Sequence, residues 1–246
     1  MTNVLVVIGS PKLEKSNSYA TVTPLIKGME NAGATVEVIY TKKQKILSCT
    51  GCFSCWYDTL GECVLKDDMQ TIYPKLKNAD VLVFATPLHS VLPGGMQNFV
   101  NRMIPLIEPV IEFKEGRTRA RYYDYVKIKK ILAVIVGGWY ELENLSLPVK
   151  LFEEFAKNCS IDFAGAILRP HAYFMREEPS FMEDKPEERK AIITKLEEVG
   201  YKFIKEGILN KEDLEFISQP VFEEEEYRKT KTNMYLKQKN QLLRNR

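Results

Sequence analysis

The sequence predicts a doubly wound α/β fold: a five-stranded parallel sheet in the order 2-1-3-4-5, helices on both faces, and a helical extension at the C-terminal end. Three observations carry this expectation. Five short runs rich in Val and Ile stand at Val4–Ile8, Thr35–Ile39, Val81–Ala85, Ile131–Val136 and Phe163–Leu168. The runs are nearly continuous rather than alternating, as strands buried on both faces are. Amphipathic segments separate them, and that alternation implies crossover connections and a parallel sheet. In this order the switch point lies between the first and third strands, and ligands bind beyond the carboxyl ends of the strands there.

The helices follow in turn. Val22, Leu25, Ile26 and Met29 recur at i, i+3, i+4 and i+7, with Gly33 as a stop signal. Pro24 lies inside that segment, so a late start or a kink is expected. Asp67 is a plausible N-cap, with Gln70 three residues on, for a helix through Leu76. Leu151, Phe152, Phe155, Ala156 and Cys159 line one face of a helix that Pro148 can open. Ile192, Leu196, Val199 and Phe203 mark the last helix of the main body. Residues 1–206 therefore read as one domain, with a cysteine-rich loop at 46–66 and an insertion at 104–129. Within and just after that insertion stand Arg117, Arg119, Arg121, Lys127, Lys129 and Lys130. Residues 207–246 form a charged extension in which Glu223 to Glu226 precede a basic stretch. Both additions read as solvated surface or subunit contact.

Composition narrows the function classes. With 246 residues and 45% hydrophobic content, the chain can bury a full core. Its 35 basic and 33 acidic residues leave a net charge of +2. That balance does not favour nucleic acid as a partner, which calls for a clustered basic face. The longest apolar stretch, Ile131–Val136, is far short of the roughly 20 residues of a membrane helix. Met1-Thr2-Asn3 leads straight into a strand without the basic start of a signal peptide, so a cytoplasmic location is expected. Four of the five cysteines crowd between residues 49 and 63. In a reducing compartment such crowding points to metal or redox chemistry rather than a disulfide scaffold.

The loop after the first strand reads Gly9-Ser10-Pro11-Lys12, and Ser16-Asn17-Ser18 opens the helix beyond it. Hydroxyls and unpaired amides at a helix N-terminus make an anion site, although Ser and Asn are also ordinary caps. The loop is neither a Walker A sequence nor a GxGxxG fingerprint, and a phosphomonoester fits it better. These residues resemble the first phosphate loop of the NAD(P)H-dependent FMN reductases and related flavodoxin-like proteins. The resemblance implies that Ser10, Ser16, Asn17 and Ser18 hold the FMN phosphate, with Lys12 where the family often has a basic residue. After the third strand, Thr86-Pro87-Leu88-His89-Ser90 runs on through Pro93-Gly94-Gly95 to Gln97 and Asn101-Arg102. This stretch is similar to the family's second flavin loop, with three departures: His89 for a tyrosine, Gln97 for a lysine and Asn101 for an aspartate. His89 is either a flavin or substrate contact, and so a possible catalytic group, or a surface residue. The lysine and aspartate changes put the family's local salt bridge in question. Gly137-Gly138-Trp139-Tyr140 follows the fourth strand, where the family places another flavin contact; Trp139 or Tyr140 stacks on flavin or belongs to the core.

The cysteines follow the pattern Cys49-x2-Cys52-x2-Cys55-x7-Cys63. Three at steps of three can face one concave loop, Gly51 permits the tight turn, and a fourth closes a set of the kind a [4Fe–4S] cluster requires. Structural zinc and a redox disulfide stay open on spacing alone. The pattern resembles the compact motif of the iron–sulfur flavoproteins, where it also precedes an Asp-Asp-Met helix, here Asp67-Asp68-Met69. Cys159, on an apolar helix face, reads as core.

The resemblance covers roughly residues 3–103. It implies an FMN- and [4Fe–4S]-containing iron–sulfur flavoprotein moving electrons between a two-electron donor and one-electron carriers. NAD(P)H or a ferredoxin-like protein would be its redox partner. A clusterless NAD(P)H-dependent FMN or quinone reductase is the alternative, and a flavin-binding or zinc-binding protein without turnover is a third. A homodimer or homotetramer is expected. Tyr122, Tyr123 and Tyr125 of the insertion, or Phe222, Tyr227 and Tyr235 of the extension, are expected in the contact.

Overall fold

The computed structural model describes residues 1–176 and 182–244. In chain order the elements are β1 (Asn3–Ile8), α1 (Asn17–Asn31), β2 (Thr35–Tyr40), the single turn α2 (Ser54–Tyr57), α3 (Met69–Asn78), β3 (Val81–Pro87) and α4 (Gly94–Asn101). They continue with β4 (Ile107–Lys114), β5 (Arg117–Tyr122), β6 (Lys130–Val136), α5 (Ser146–Asn158), β7 (Asp162–Arg169), α6 (Pro186–Glu206), α7 (Lys211–Ser218) and α8 (Glu224–Arg244). The five expected strands form one parallel sheet in the order β2-β1-β3-β6-β7. Counted among themselves, that order is 2-1-3-4-5: the flavodoxin-like arrangement.

Each sheet face carries its own core. Leu5, Phe84, Ile131 and Ile135 pack with α3, α4 and α5 on one face, where the Phe84 and Phe152 rings stack with centroids 4.6 Å apart. Val6, Val83 and Leu132 pack with α1 and α6 on the other. The helices α1 and α6 cross closely because Gly28 and Gly200 face the partner backbone. A Cβ at Gly28 would lie 1.9 Å from the Glu197 carbonyl oxygen, and one at Gly200 2.1 Å from that of Leu25.

Four expectations are corrected here. Pro24 neither delays nor interrupts α1. A helix-interior proline costs about 3 kcal/mol. Fully burying Val22, Leu25 and Met29 gains about 1.5–3 kcal/mol for each side chain and outweighs it. Asp67 is not the N-cap of α3, since Asp68 holds that position. The Asp67 carboxylate is instead fully buried against Arg102, and Gln70 donates to the carbonyls of Cys63 and Leu65 rather than closing a capping box. The insertion is a β4–β5 antiparallel hairpin, turned by Glu115 and Gly116 at φ 51° and 75°. That left-handed pair suits a two-residue hairpin turn. Arg119, on β5, is buried and donates to Asn158 at 2.5 Å. Finally, the extension is docked as far as α8: Ile217, Phe222 and Tyr227 are buried. Tyr122, Phe222 and Tyr227 are thus core residues and offer no surface to a second subunit.

Arg169, at the end of β7, fastens this extension. Its buried guanidinium donates to the carbonyls of Pro170, Ile217 and Gln219 and sits 2.6 Å from Nε2 of His171. Burial pulls the Arg169 pKa down to about 9, and burial beside that cation pulls His171 down to about 3. No described helix is long and apolar enough to cross a membrane.

Candidate functional site

The carboxyl ends of β1, β3, β6 and β7 open onto one cleft of about 190 Å³. Ser10, Lys12, Ser16, Asn17 and Ser18 form one wall; Pro87, Leu88, His89, Gly137 and Gly138 form the other. Local chemistry shapes the first wall. Ser16 caps α1, its Oγ accepting from the Tyr19 amide at 3.1 Å and donating to the Leu13 carbonyl at 2.6 Å. Ser10 Oγ accepts from the Lys12 amide at 3.4 Å. The first helical amides, those of Asn17 and Ser18, have no carbonyl four residues back to bond within α1. Ser18 Oγ is fully buried without any hydrogen-bond partner among the described residues. A buried hydroxyl is ordinarily satisfied. This one stands at a helix N-terminus in a cleft that Lys12 and Lys15 also line, a setting whose free amides and dipole favour an anion.

The second wall is apolar and held by backbone. The Leu88 amide donates to the Val136 carbonyl at 2.9 Å, and the Gly137 amide to that of Arg169 at 3.0 Å. Ser90 is held at φ 49°, a left-handed conformation unusual for serine. Thr86 is buried below the cleft, its Oγ1 donating to the Pro87 carbonyl at 3.1 Å. Neither Thr86, Ser90 nor Trp139 lines the cleft. Trp139 is exposed and lies under the Lys231 ammonium of α8, 4.6 Å from its ring centre. The departures at Gln97 and Asn101 replace an ion pair with an amide hydrogen bond of 3.0 Å.

The four clustered cysteines line a second, much smaller cavity of about 20 Å³. Cys55 is buried, Cys49 and Cys63 are half-buried, and Cys52 is exposed. Burial, then the neighbouring Cys63, Cys52 and Cys49, pushes the Cys55 thiol up to about 11. The Ser54 amide and hydroxyl and the Thr50 hydroxyl lower that of Cys52. Gly51 turns at φ 67°, where a side chain is disfavoured. Among the described residues no three Cys, His, Asp or Glu groups converge as ligands of a single metal ion. Cys159 lies apart in the core, raised to about 12 by burial.

The cysteine loop is sewn onto α4, the helix of the second flavin-type loop. Asn98 Nδ2 donates to the Ile46 carbonyl at 3.2 Å, and Asn98 Oδ1 accepts from Ser48 at 3.1 Å. Arg102 donates to the Leu47 carbonyl at 2.9 Å and doubly to Asp67 at 2.5 and 3.0 Å. Burial alone would raise the Asp67 pKa, yet Arg102 and the amides of Leu47 and Met69 hold it below the usual carboxylate value.

Five lining residues were not among the expected site residues: Pro11, Lys15, Val136, Tyr173 and Arg176. Tyr173 and Arg176 follow β7, and Arg176 donates to the Lys15 carbonyl at 3.1 Å across 161 residues. Their position past a strand's carboxyl end was the available signal, the same rule that drew attention to the other loops.

Comparison with known proteins gives these loops a context. The chain is 26% identical over 227 residues to an iron–sulfur flavoprotein of Archaeoglobus fulgidus, covering 88% of this chain and 97% of the relative. An NAD(P)H:quinone oxidoreductase from Methanothermobacter marburgensis superposes with a TM-score of 0.58 at 15% identity, over 82% of this chain and 96% of that one. An FMN-dependent NADH-azoreductase from Bacillus anthracis, solved with FMN, gives 0.53 at 14% identity, over 83% and 100%. Such distant structures share the fold. The family model described as NADPH-dependent FMN reductase matches residues 2–139, more than half of the sequence, and the chain belongs to that family.

Proposed function

We propose that this chain is an iron–sulfur flavoprotein that carries electrons between a two-electron donor and one-electron acceptors. It would bind FMN in the cleft at Ser10–Ser18 and a [4Fe–4S] cluster on Cys49, Cys52, Cys55 and Cys63. The observation that carries the reading is the cysteine cavity: four thiols of one short loop surround one space, pinned by Asn98 and Arg102 to the helix of a flavin-type loop. The donor set fits, since four cysteine thiolates are what such a cluster takes. FMN, when bound, exchanges electrons in pairs or singly, and a cubane passes them one at a time. The chain's own part is to hold the phosphate with Ser18 Oγ and the first amides of α1, shape an apolar slot from Pro87, Leu88 and Gly137, and keep water from the buried Cys55.

Purification without oxygen tests the proposal. About four iron and four acid-labile sulfide per chain are expected, together with FMN on chromatography of the released flavin. FMN with no iron would instead support a clusterless NAD(P)H-dependent FMN or quinone reductase. One feature favours that second reading: the flavin cleft takes no lining residue from the cysteine loop.

A further inference from the structure

The cysteine cavity has one wall that is not cysteine. Arg102, at the C-terminal end of α4, lines it and is 1% exposed. Its two terminal nitrogens are committed to Asp67 and the Leu47 carbonyl. Its Nε is buried and has no partner among the described residues. An orphaned donor of this kind is uncommon, because leaving it unpaired forfeits a hydrogen bond. The setting around it is specific. Cys63 lines the same cavity and is near enough to bear on the Arg102 guanidinium, and the Tyr73 ring, bonded through its hydroxyl to the Arg102 carbonyl at 2.9 Å, neighbours both. Gln70 holds the Cys63 carbonyl at 3.1 Å. The four cysteines thus share their cavity with a buried cation.

We infer that the Arg102 Nε–H donates a hydrogen bond into the cysteine cavity, to the Cys63 thiolate or to a cluster sulfide. It thereby acts as a positioning residue that raises the reduction potential of whatever cluster the four cysteines hold. The inference rests on the cluster reading above. A cluster bound by four thiolates is an anion and gains a further negative charge on reduction. A fixed donor and cation at its edge therefore favours the reduced form, and hydrogen bonds to sulfur are a known determinant of such potentials. Asp67 sets the fork. By binding both terminal nitrogens it turns the Nε edge away from itself, and by accepting from the Leu47 and Met69 amides at 2.8 and 3.1 Å it fixes that orientation to the cysteine loop and α3. A lysine at 102 could keep the charge opposite Asp67 but lacks the second, directed edge.

The test uses the full chain purified or reconstituted without oxygen. Iron per chain and the midpoint potential from a titration followed by electron paramagnetic resonance are measured for wild type, R102K and the charge-neutral double variant D67N/R102Q. Expected are full iron in all three and a lower potential in both variants. Wild type without iron would overturn the cluster reading and this inference together. Wild type with iron, and potentials unchanged in a folded variant, would overturn the role of Arg102 alone. A measurement on wild type stands if neither variant folds. ¹⁵N-arginine labelling should add a nitrogen coupling to the pulsed spectrum of the reduced cluster, and a spectrum unaltered by the label would overturn the contact.

Discussion

Ser18 shows how a single atom separates a binding role from a structural one. Its buried hydroxyl has no hydrogen-bond partner among the described residues, and an unsatisfied buried hydroxyl costs about 1–3 kcal/mol. Ser18→Ala removes that orphan along with the phosphate contact. The variant without flavin should therefore melt no lower than wild type, while its FMN affinity falls by about 10- to 100-fold, the worth of one bond to a charged group. Calorimetry on the flavin-free protein and fluorescence titration with FMN check the two halves. A variant that is destabilised and binds FMN normally would make Ser18 a structural residue. Asn17→Leu should weaken FMN binding as well, since an apolar side chain cannot bond a phosphate oxygen. These positions were legible because helix-start chemistry is local. Arg169 and His171 were not, because their partners at Ile217 and Gln219 are about 50 residues away. His171 has a consequence of its own. Its neighbours include the Arg169 cation, the Val221 amide and the rings of Tyr140, Phe174, Phe222 and Tyr227, with no carboxylate among these described residues. Its folded pKa of about 3 lies below the ordinary 6.5, so the unfolded chain binds the proton more readily. Its stabilising contribution is complete above pH 6.5 and is lost as pH falls toward 3. The loss amounts to about 1.4 kcal/mol per unit. Between pH 7 and 5, where most carboxylates keep their charge, His171→Gln should show a visibly flatter fall of unfolding free energy than wild type.

At the scale of elements, the five strands could be read because a parallel strand covered on both faces must be apolar throughout. The hairpin could not. β5 places Arg117, Arg119 and Arg121 at alternate positions, which looks like solvated charge, although Arg119 turns inward to Asn158. Its turn is Glu115-Gly116 rather than the more familiar Asn-Gly or Asp-Gly. Asp67 misled for a related reason: an aspartate before an apolar helix suits a cap, and its true partner, Arg102, is 35 residues distant. The extension looked like a polar tail because its buried residues, among them Ile217, Phe222 and Tyr227, stand scattered among charges. Yet Tyr227 donates from its hydroxyl to the Gly138 carbonyl at 2.8 Å, and Lys231 donates to the same oxygen. Both hold the loop after β6 that walls the cleft proposed for FMN. Removal of residues 220–246 should therefore raise the dissociation constant for FMN. Lys231→Met should do so more weakly, since Tyr227 remains. If the truncated protein stays folded and binds FMN as tightly as the full chain, the extension does not support the cleft.

For the whole molecule, the remaining question is what covers the surfaces that the fold leaves apolar. Two elements carry exposed apolar side chains. The β4–β5 hairpin exposes Ile111 at 70% and Phe113 at 82%, and the far end of α8 exposes Tyr235 at 60%, Leu242 at 67% and Leu243 at 59%. A two-stranded ribbon is marginal alone, and its free edges invite pairing. Large apolar side chains clustered at such an edge mark a contact surface more often than an accident. The tyrosines once open to that role are reduced by the fold to Tyr123, Tyr125 and Tyr235, because Tyr122, Phe222 and Tyr227 are spent on the core. A closed homo-oligomer, dimer or tetramer, in which the hairpin of one copy meets another copy is therefore expected. Light scattering at micromolar concentration should give at least twice the 28.4 kDa of one chain. Ile111→Ser with Phe113→Ser should lower that mass without lowering the melting temperature of the monomer, because both side chains are exposed within the subunit. A wild-type mass of one chain would remove the idea, and an oligomer that survives the double change would move the contact from the hairpin to α8.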